Sequence, residues 1–315
     1  MSHPGARPHA GEASVREGAD PLTDGGLLVL VLIWGVNFSV IKVALAELHP
    51  FAFNALRFPL ACLVLYVLLR MGRGLAPPRR EHWARLAFLG LLGNVAYQFL
   101  FIIGIDRTTA GNASLLLATT PIWTSILSVV RGHERPTGLV WLGILTTVVG
   151  MVIVILGGQG LTFERGTLVG DVLMIAAAMT WSLYTVGSRN LVREYGALPV
   201  TAWTLWIGSV GLVILGAPWV VRTDLANVSG LAWLAVVYAG CMAISVAYTL
   251  WYRGVGRLGS ARTAAYSNLV PVVALGVAWA WLDEVPGPLQ IVGAGVILAG
   301  LSVTRLARPR QRTGA

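Results

Sequence analysis

The stretch that decides the fold is Trp83–Pro136, which reads WARLAFLGLLGNVAYQFLFIIGIDRTTAGNASLLLATTPIWTSILSVVRGHERP. A shift of 150 residues aligns this stretch with a second copy of itself. The shift pairs Trp83 with Trp233, Gly90 with Gly240, Gly104 with Gly254, Pro121 with Pro271, Glu134 with Glu284, Pro136 with Pro286, Gly143 with Gly293 and Gly150 with Gly300. Because tryptophan, glycine and proline are chemically distinctive residues, a shift that so many of them share indicates an internal repeat.

The composition is that of a membrane protein. The chain has 315 residues, of which 56% are hydrophobic and 12% charged, whereas soluble domains carry about 25% charged residues. The net charge is +9, but the basic residues stand singly or in small groups between apolar runs. That distribution is typical of membrane topology and not of a nucleic-acid groove. We therefore expect the lipid bilayer as a partner and no nucleic acid.

Ten apolar runs are long enough to span a bilayer, which takes about 20 residues. They are 25–46, 51–70, 83–104, 108–130, 137–157, 167–188, 197–218, 230–252, 259–282 and 287–306. The first run is too long for a signal peptide and no cleavage box follows it, so we expect it to remain as a membrane helix. Residues 1–24 are predicted to be a disordered cytoplasmic tail, and residues 307–315 a basic cytoplasmic tail.

The arginines predict the orientation. With the N-terminus in the cytoplasm, the inside segments collect sixteen arginines and the outside loops three, Arg107, Arg165 and Arg222. This asymmetry favours both termini inside the cell. The two repeats, 25–157 and 167–306, then hold five spans each, and an odd number inverts the second repeat relative to the first. We predict an all-α integral membrane protein with inverted-topology repeats, the architecture of secondary transporters.

Several short motifs resemble one transporter family. They are Trp34-Gly35-Val36-Asn37-Phe38, Leu56-Arg57-Phe58, the run ending at Pro121 with its copy Asn268-Leu269-Val270-Pro271, and the pair Glu134-x-Pro136 and Glu284-x-Pro286. In this order and duplicated, they resemble the drug/metabolite transporter superfamily and, within it, the EamA-type ten-helix exporters. The resemblance implies two five-helix bundles around a central cavity, with the fifth and tenth helices peripheral. It also implies export or exchange of small metabolites, often amino acids.

Two polar residues in the first two runs are candidates for substrate binding, since polar groups in hydrocarbon are costly unless paired or hydrated. Asn37 can donate and accept at once, or it can simply join two helices. Arg57 offers a planar fork for a carboxylate or phosphate. Alternatively, it reaches the outer interface, or it binds carbonyls freed by Pro59.

A second group of candidates lies in the third run and its copy. Asn94, Tyr97 and Gln98 share one helix face. The 150-residue shift pairs Gln98 with Tyr248, whereas Tyr97 needs a shift of 151, and both pairings stay open. Aromatic walls for an apolar side chain or a cation are predicted from Trp34, Trp181, Tyr184 and Trp251.

The prolines of the fourth and ninth runs are predicted hinges. Pro121 and Pro271 each remove a helical hydrogen bond, and matched bends near the site suit a rocking mechanism. A static kink filled by serine or threonine is the alternative. Tyr266 and Asn268, just before Pro271, complete the predicted substrate site.

The remaining motifs argue against enzyme chemistry. Cys62 and Cys241 lie in apolar runs and are interpreted as core residues, and every histidine lies in a terminus, a loop or a helix end. We find no paired acids, metal cluster or phosphate-binding loop, so neither metal nor cofactor is expected. No acid lies in the middle of a run. Asp171 is near the outer start of its run, which argues against proton coupling through a buried carboxylate.

Two structural roles follow from the ends and faces of the last helices. Glu134 and Glu284 are predicted to cap the fifth and tenth helices, which they precede. Gly295-x-x-x-Ala299 allows close helix packing, within the chain or in a homodimer.

The sequence as a whole predicts a multi-pass permease of a bacterial-type inner membrane. Its expected substrates are small polar metabolites, with amino acids or related zwitterions favoured. The alternatives are efflux of drug-like or aromatic compounds and a non-transporting membrane scaffold.

Overall fold

The computed structural model describes residues 21–71, 77–130, 137–157, 165–258 and 266–306. Within these ranges the chain is helical and contains no strand. Six helices are long and apolar enough to cross a membrane: Pro21–Leu45, Pro50–Met71, Arg80–Asp106, Thr167–Ser188, Leu198–Arg222 and Gly230–Trp251. Shorter apolar helices cover Trp141–Val154, Val270–Leu282 and Pro288–Gly300.

The helices are numbered in chain order. The first repeat holds α1 (Pro21–Leu45), α2 (Pro50–Met71), α3 (Trp83–Gly90), α4 (Tyr97–Asp106), α5 (Ala110–Leu117), α6 (Thr120–Val130) and α7 (Gly138–Gly157). The second holds α8 (Arg165–Tyr195), α9 (Ala197–Arg222), α10 (Gly230–Val237), α11 (Ala247–Leu258), α12 (Val270–Leu282) and α13 (Pro288–Leu306).

A π-helical segment interrupts the third run and its copy. Leu91–Ala96 joins α3 to α4, and Tyr238–Val246 joins α10 to α11. Their apolar sequences predict ordinary helix, so the sequence analysis missed both segments. Since π-helical turns are rare and are often found at functional sites, their matched positions draw attention to the side chains they carry, above all Asn94.

The fourth run breaks before Pro121. Residues 118–119 form a turn between α5 and α6. Proline has no N–H to bond the carbonyl of Leu117, and the hydroxyl of Thr120 donates to that carbonyl instead, at 2.7 Å. In the second repeat a 3₁₀ turn, Ser267–Leu269, precedes Pro271 at the start of α12. Both prolines therefore follow a break in the helix, while the hinge motion stays a prediction.

Glycines bring α7 and α13 into close contact. A Cβ added to Gly150 would lie 2.7 Å from the backbone nitrogen of Ile297, and one added to Gly300 would lie 2.7 Å from the carbonyl oxygen of Gly143. In contrast, a Cβ added to Gly295 meets no atom of the described chain within 4 Å. The intramolecular contact therefore uses Gly150 and Gly300, and Gly295 lies outside it.

We expect Gly300→Val to destabilise the protein by about 3 kcal/mol, because the new side chain meets backbone that cannot move aside. Gly295→Val is the matched control and should leave the melting temperature in detergent unchanged. Equal melting temperatures for the two variants would show that the α7–α13 contact is loosely packed.

Candidate substrate site

Arg57 is the largest almost completely buried side chain of the described structure, with 2% of its surface exposed. It lies in the first half of α2. Its Nε donates to Oδ1 of Asn54 at 3.0 Å, and its Nη2 donates to Oε1 of Gln98 at 2.7 Å. Its guanidinium carbon lies 4.6 Å from the ring centroid of Phe53. Arg57 therefore bonds side-chain amides inside the protein and does not reach the outer interface.

The guanidinium has no counter-charge in the part of the chain that the structure describes. No carboxylate there lies within ion-pair distance of Arg57. Its two hydrogen-bond partners in the described structure, Asn54 and Gln98, are neutral amides. An uncompensated buried charge is costly, so this position is suited to an anionic group that comes from outside the described chain.

Two amide atoms near the first two helices are also left without partners. Nδ2 of Asn54 is a buried donor, and Oδ1 of Asn37 on α1 is a buried acceptor, and neither has a hydrogen-bond partner in the described chain. A buried polar atom without a partner costs roughly 1–3 kcal/mol. The free donor belongs to the residue that accepts from Arg57, so donors for an anion are close together there.

Thr204 on α9 is the counterpart of Arg57 in the second repeat. A Cβ added to Gly240 would lie 2.6 Å from the carbonyl oxygen of Arg57, and one added to Gly90 would lie 2.9 Å from that of Thr204. The first two helices of each repeat thus correspond by a shift of 147, since 204 exceeds 57 by 147. Because Gly90 and Gly240 make matching contacts, the third helices of the two repeats correspond by a shift of 150 residues. This shift supports the pairing of Gln98 with Tyr248.

Thr204 also explains where Asn94 and Tyr184 point. Nδ2 of Asn94 donates to the carbonyl of Thr204 at 3.0 Å. The hydroxyls of Tyr184 and Thr204 are 3.0 Å apart. Asn94 and Tyr184 are therefore hydrogen-bonded to Thr204 in the second repeat, whereas Gln98 is hydrogen-bonded to Arg57 in the first.

Two aromatic clusters flank the site. On one side Trp34 makes an edge contact with Tyr248, with centroids 6.3 Å apart, and a tilted contact with Trp251 at 5.6 Å. On the other side Trp181 lies 4.9 Å from Tyr97 and 5.2 Å from Tyr184. Tyr97 and Tyr248 both lie within electrostatic range of Arg57, so each cluster has one ring near the guanidinium.

Tyr266 lies apart from this group. Its hydroxyl donates to Oδ1 of Asp24 at 2.7 Å, in the first turn of α1. Asp24 precedes Asn37 by thirteen residues, or roughly 20 Å along a helix, so Tyr266 belongs to the end of the bundle. The side chain of Asn268 lies outside the described residues.

Three polar residues that the sequence analysis did not assign are Asn54, Thr204 and Asp171. Asn54 precedes Arg57 by three residues, and this helical spacing was a signal for a shared face. Asp171 is correctly located near the start of its helix, but none of its surface is exposed. The prediction that the chain holds no buried acid was wrong.

Glu284 caps a helix other than the predicted one. Its carboxylate accepts from the backbone N–H of Ala110 at 2.9 Å and of Gly111 at 3.4 Å, at the start of α5. The N–H of Gly287, just before α13, is bonded instead by Oε1 of Gln290 at 2.8 Å. The spacing alone could not reveal a partner 174 residues away. Glu134 lies outside the described residues.

A separate pocket of about 580 Å³ opens between the loop before α2 and the end of α9. The ring of His49 stacks on Trp219 with centroids 3.6 Å apart, and burial keeps the pKa of His49 below its ordinary value. Glu47 accepts from the N–H and hydroxyl of Ser229, and these bonds lower the pKa of its carboxyl. Asp224, the other acid of this pocket, accepts from the N–H of Ala226 and from Nδ2 of Asn227, so both acids already bind groups of the protein.

The sequence model of the EamA-like transporter family matches residues 22–156 and again residues 168–306. A solved structure described as "Crystal structure of protein" matches with a TM-score of 0.64 at 22% identity, covering 92% of this chain and 99% of that one. At this identity the match shows the fold alone.

Curated relatives span nearly the same length. An "Uncharacterized transporter" of Archaeoglobus fulgidus is 30% identical over 88% of this chain and 95% of that protein. A "Probable terminal-alkyne amino-acid exporter" of Streptantibioticus cattleyicolor is 30% identical over 87% of this chain and 90% of that protein. A "Probable amino-acid metabolite efflux pump" of Escherichia coli is 28% identical over 89% and 94%. The chain therefore belongs to the EamA-like transporter family, and it is a multi-pass membrane transporter and not an enzyme.

Proposed function

We propose that the protein exports small zwitterionic metabolites, amino acids first among them, through a site centred on Arg57. The observation that carries this proposal is a buried guanidinium whose partners in the described chain are two neutral amides. A substrate carboxylate would supply the counter-charge and use the planar fork of Arg57. The free Nδ2 of Asn54 would add a second donor.

The ammonium group of such a substrate requires an acceptor. The 147-residue shift aligns Asn37 with Tyr184 and Arg57 with Thr204. Since Tyr184 meets Thr204 in the second repeat, we expect Asn37 beside Arg57 in the first. The unpartnered Oδ1 of Asn37 then accepts from the ammonium, while the neighbouring aromatic rings hold the side chain.

We infer that ten spans in two inverted five-helix halves surround this site, with both termini in the cytoplasm and the chain in the cell membrane. The excess of arginine in the predicted inside segments supports this topology, as does the odd number of spans in each half. Alternating access would rock the halves about the site. The breaks before Pro121 and Pro271 are where α6 and α12 would bend.

The names of the relatives support an exporter of amino-acid-like compounds, since two of them are called an amino-acid exporter and an amino-acid metabolite efflux pump. Efflux of aromatic or drug-like compounds is the second candidate. The clusters around Trp34 and Trp181 favour it, because aromatic walls bind flat apolar ligands without any need for a carboxylate.

Counterflow in proteoliposomes with radiolabelled L-phenylalanine separates the two candidates. 3-Phenylpropionate lacks the ammonium group, and 2-phenylethylamine lacks the carboxylate. We expect unlabelled L-phenylalanine to compete at least about tenfold better than 2-phenylethylamine, because only the former pairs with Arg57. 3-Phenylpropionate should rank between the two.

Equal competition by L-phenylalanine and 2-phenylethylamine would reject recognition of the carboxylate and favour aromatic efflux. Absence of counterflow for every one of twenty amino acids would reject the amino-acid class. Comparing growth media from cells with and without the gene would then identify the exported compound.

A further inference from the structure

Asp171 on α8 is an acidic side chain that the proposed site does not use. None of its surface is exposed, and no other aspartate or glutamate among the described residues is buried. The hydroxyl of Thr108 donates to Oδ1 at 2.5 Å. Oδ2 is buried and has no hydrogen-bond partner among the described residues.

The carboxyl of Asp171 has no ion-pair partner in the described chain. Asn112 on α5 lies within interaction range, but it does not complete a hydrogen bond to Oδ2. Oδ1 of Asn112 accepts instead from Nε2 of Gln290 at 2.7 Å.

The helices that contact α8 add few charges. Helices α5 and α6 carry no titratable residue. Arg107, whose backbone contacts Gly170, and the preceding Asp106 are both exposed at the end of α4. The other titratable residues of α8 and of the helices that contact it lie at other positions along these helices. They are Tyr97 on α4, Arg85 on α3, Arg222 at the end of α9, and Arg165, Tyr184, Arg189, Arg193, Glu194 and Tyr195 on α8.

Asp171 lies where the two repeats contact each other. A Cβ added to the preceding residue, Gly170, would lie 2.6 Å from the backbone of Arg107, so α8 is pressed against the loop before α5. Thr109 in that loop caps α5 by accepting from the N–H of Asn112 at 3.1 Å. An ionised carboxylate at this closely packed contact would need water or a cation, and either would push the two surfaces apart.

We propose that Asp171 is a proton-binding site, and that binding a proton closes this end of the transporter. The neutral acid fits the closed contact seen here, because it needs no counter-charge. Loss of the proton from Oδ2 to water leaves a carboxylate that hydrates and opens the contact between α8 and the loop before α5. The proton is bound when this end closes and is released when it opens, so transport depends on the pH of the compartment that this end faces.

Infrared spectroscopy of the purified protein tests proton binding without any substrate. Spectra are compared over about pH 5 to pH 9 for the wild type, Asp171→Asn and the control Asp106→Asn, whose carboxylate is exposed. We expect a carbonyl band of a protonated carboxyl that disappears as pH rises in the wild type and in the control. The band should be missing from Asp171→Asn. A band that persists in Asp171→Asn would overturn the proposal.

Proteoliposomes with and without a pH gradient test the consequence for transport, with L-phenylalanine as the probe. A gradient that makes the compartment facing this end alkaline should raise uptake several-fold in the wild type and the control. Uptake by Asp171→Asn, which resembles the protonated and closed state, should stay low and unchanged. Full stimulation in Asp171→Asn would overturn the coupling. This transport experiment rests on the proposed function. If the wild-type protein moves no L-phenylalanine, the proposed transport of amino acids fails. The infrared experiment still decides whether Asp171 binds a proton.

Discussion

Replacing Arg57 with methionine should lower L-phenylalanine counterflow at least about 100-fold, because losing one partner of a buried charge pair costs about 3–5 kcal/mol. Arg57→Lys keeps the charge but cannot donate from Nε and Nη2 together, so we expect an intermediate loss of about tenfold. Counterflow in proteoliposomes with matched protein amounts measures both variants. Arg85→Met is the control, since that arginine is exposed.

Asn54→Asp is the complementary change at the same site. It converts the amide that accepts from Nε of Arg57 at 3.0 Å into an internal counter-ion. The new pair should raise the melting temperature and suppress transport at least about tenfold, because the substrate carboxylate then competes with a fixed one. A structural role for Arg57 predicts the stabilisation without the loss of transport. Undiminished counterflow in Arg57→Met and Asn54→Asp would therefore reject the site.

Helix-forming segments and family could be predicted from the sequence, because both depend on features that are local or repeated. Apolar runs define helices by length and composition, and duplicated motifs identify the family whose model matches both repeats. Arg57 could be singled out for the same reason, since a basic residue within an apolar run is rare. Its location in the repeat was enough to propose a role before any contact was known.

The interruptions of the helices could not be predicted in full. The π-helical segments, Leu91–Ala96 and Tyr238–Val246, have the same apolar composition as the helices around them. Their geometry fits the close approach of Gly90 and Gly240 to the neighbouring helices, and this is a tertiary effect. The break before Pro121 was closer to prediction, since the missing N–H of proline is a property of the residue itself.

Partners far apart in sequence account for the other differences. Asp171 was predicted to be an acid at the end of a helix, where water normally solvates a carboxylate. The structure buries it because Gly170 lets α8 approach the loop before α5. Likewise, Glu284 precedes a helix that it could have capped, yet Gln290 satisfies Gly287 in that place. Only the fold determines which of two available helix ends an acid reaches.

Glu284→Ala should lower the free energy of unfolding by about 2 kcal/mol, because it leaves two backbone N–H groups at the start of α5 without acceptors. These groups belong to Ala110, which is completely buried, and to Gly111. Water cannot easily replace the carboxylate there. We expect the melting temperature in detergent to fall by roughly 4–8 °C. Glu284→Gln, which keeps one acceptor oxygen, should lie between the wild type and Glu284→Ala.

Asp283→Asn is the matched control for Glu284→Ala. Asp283 is the neighbouring exposed acid and has a φ of 55°, a left-handed conformation that asparagine tolerates well. Hydrogen exchange measured by mass spectrometry locates the effect, since the amides of residues 110–112 should exchange faster in Glu284→Ala and at the wild-type rate in the control. Unchanged exchange in those residues would mean that Glu284 does not hold the start of α5. Accelerated exchange would show that Glu284 links the two repeats, because its loop belongs to the second repeat and α5 belongs to the first. A transporter that opens at this place has to break the hydrogen bonds of Glu284.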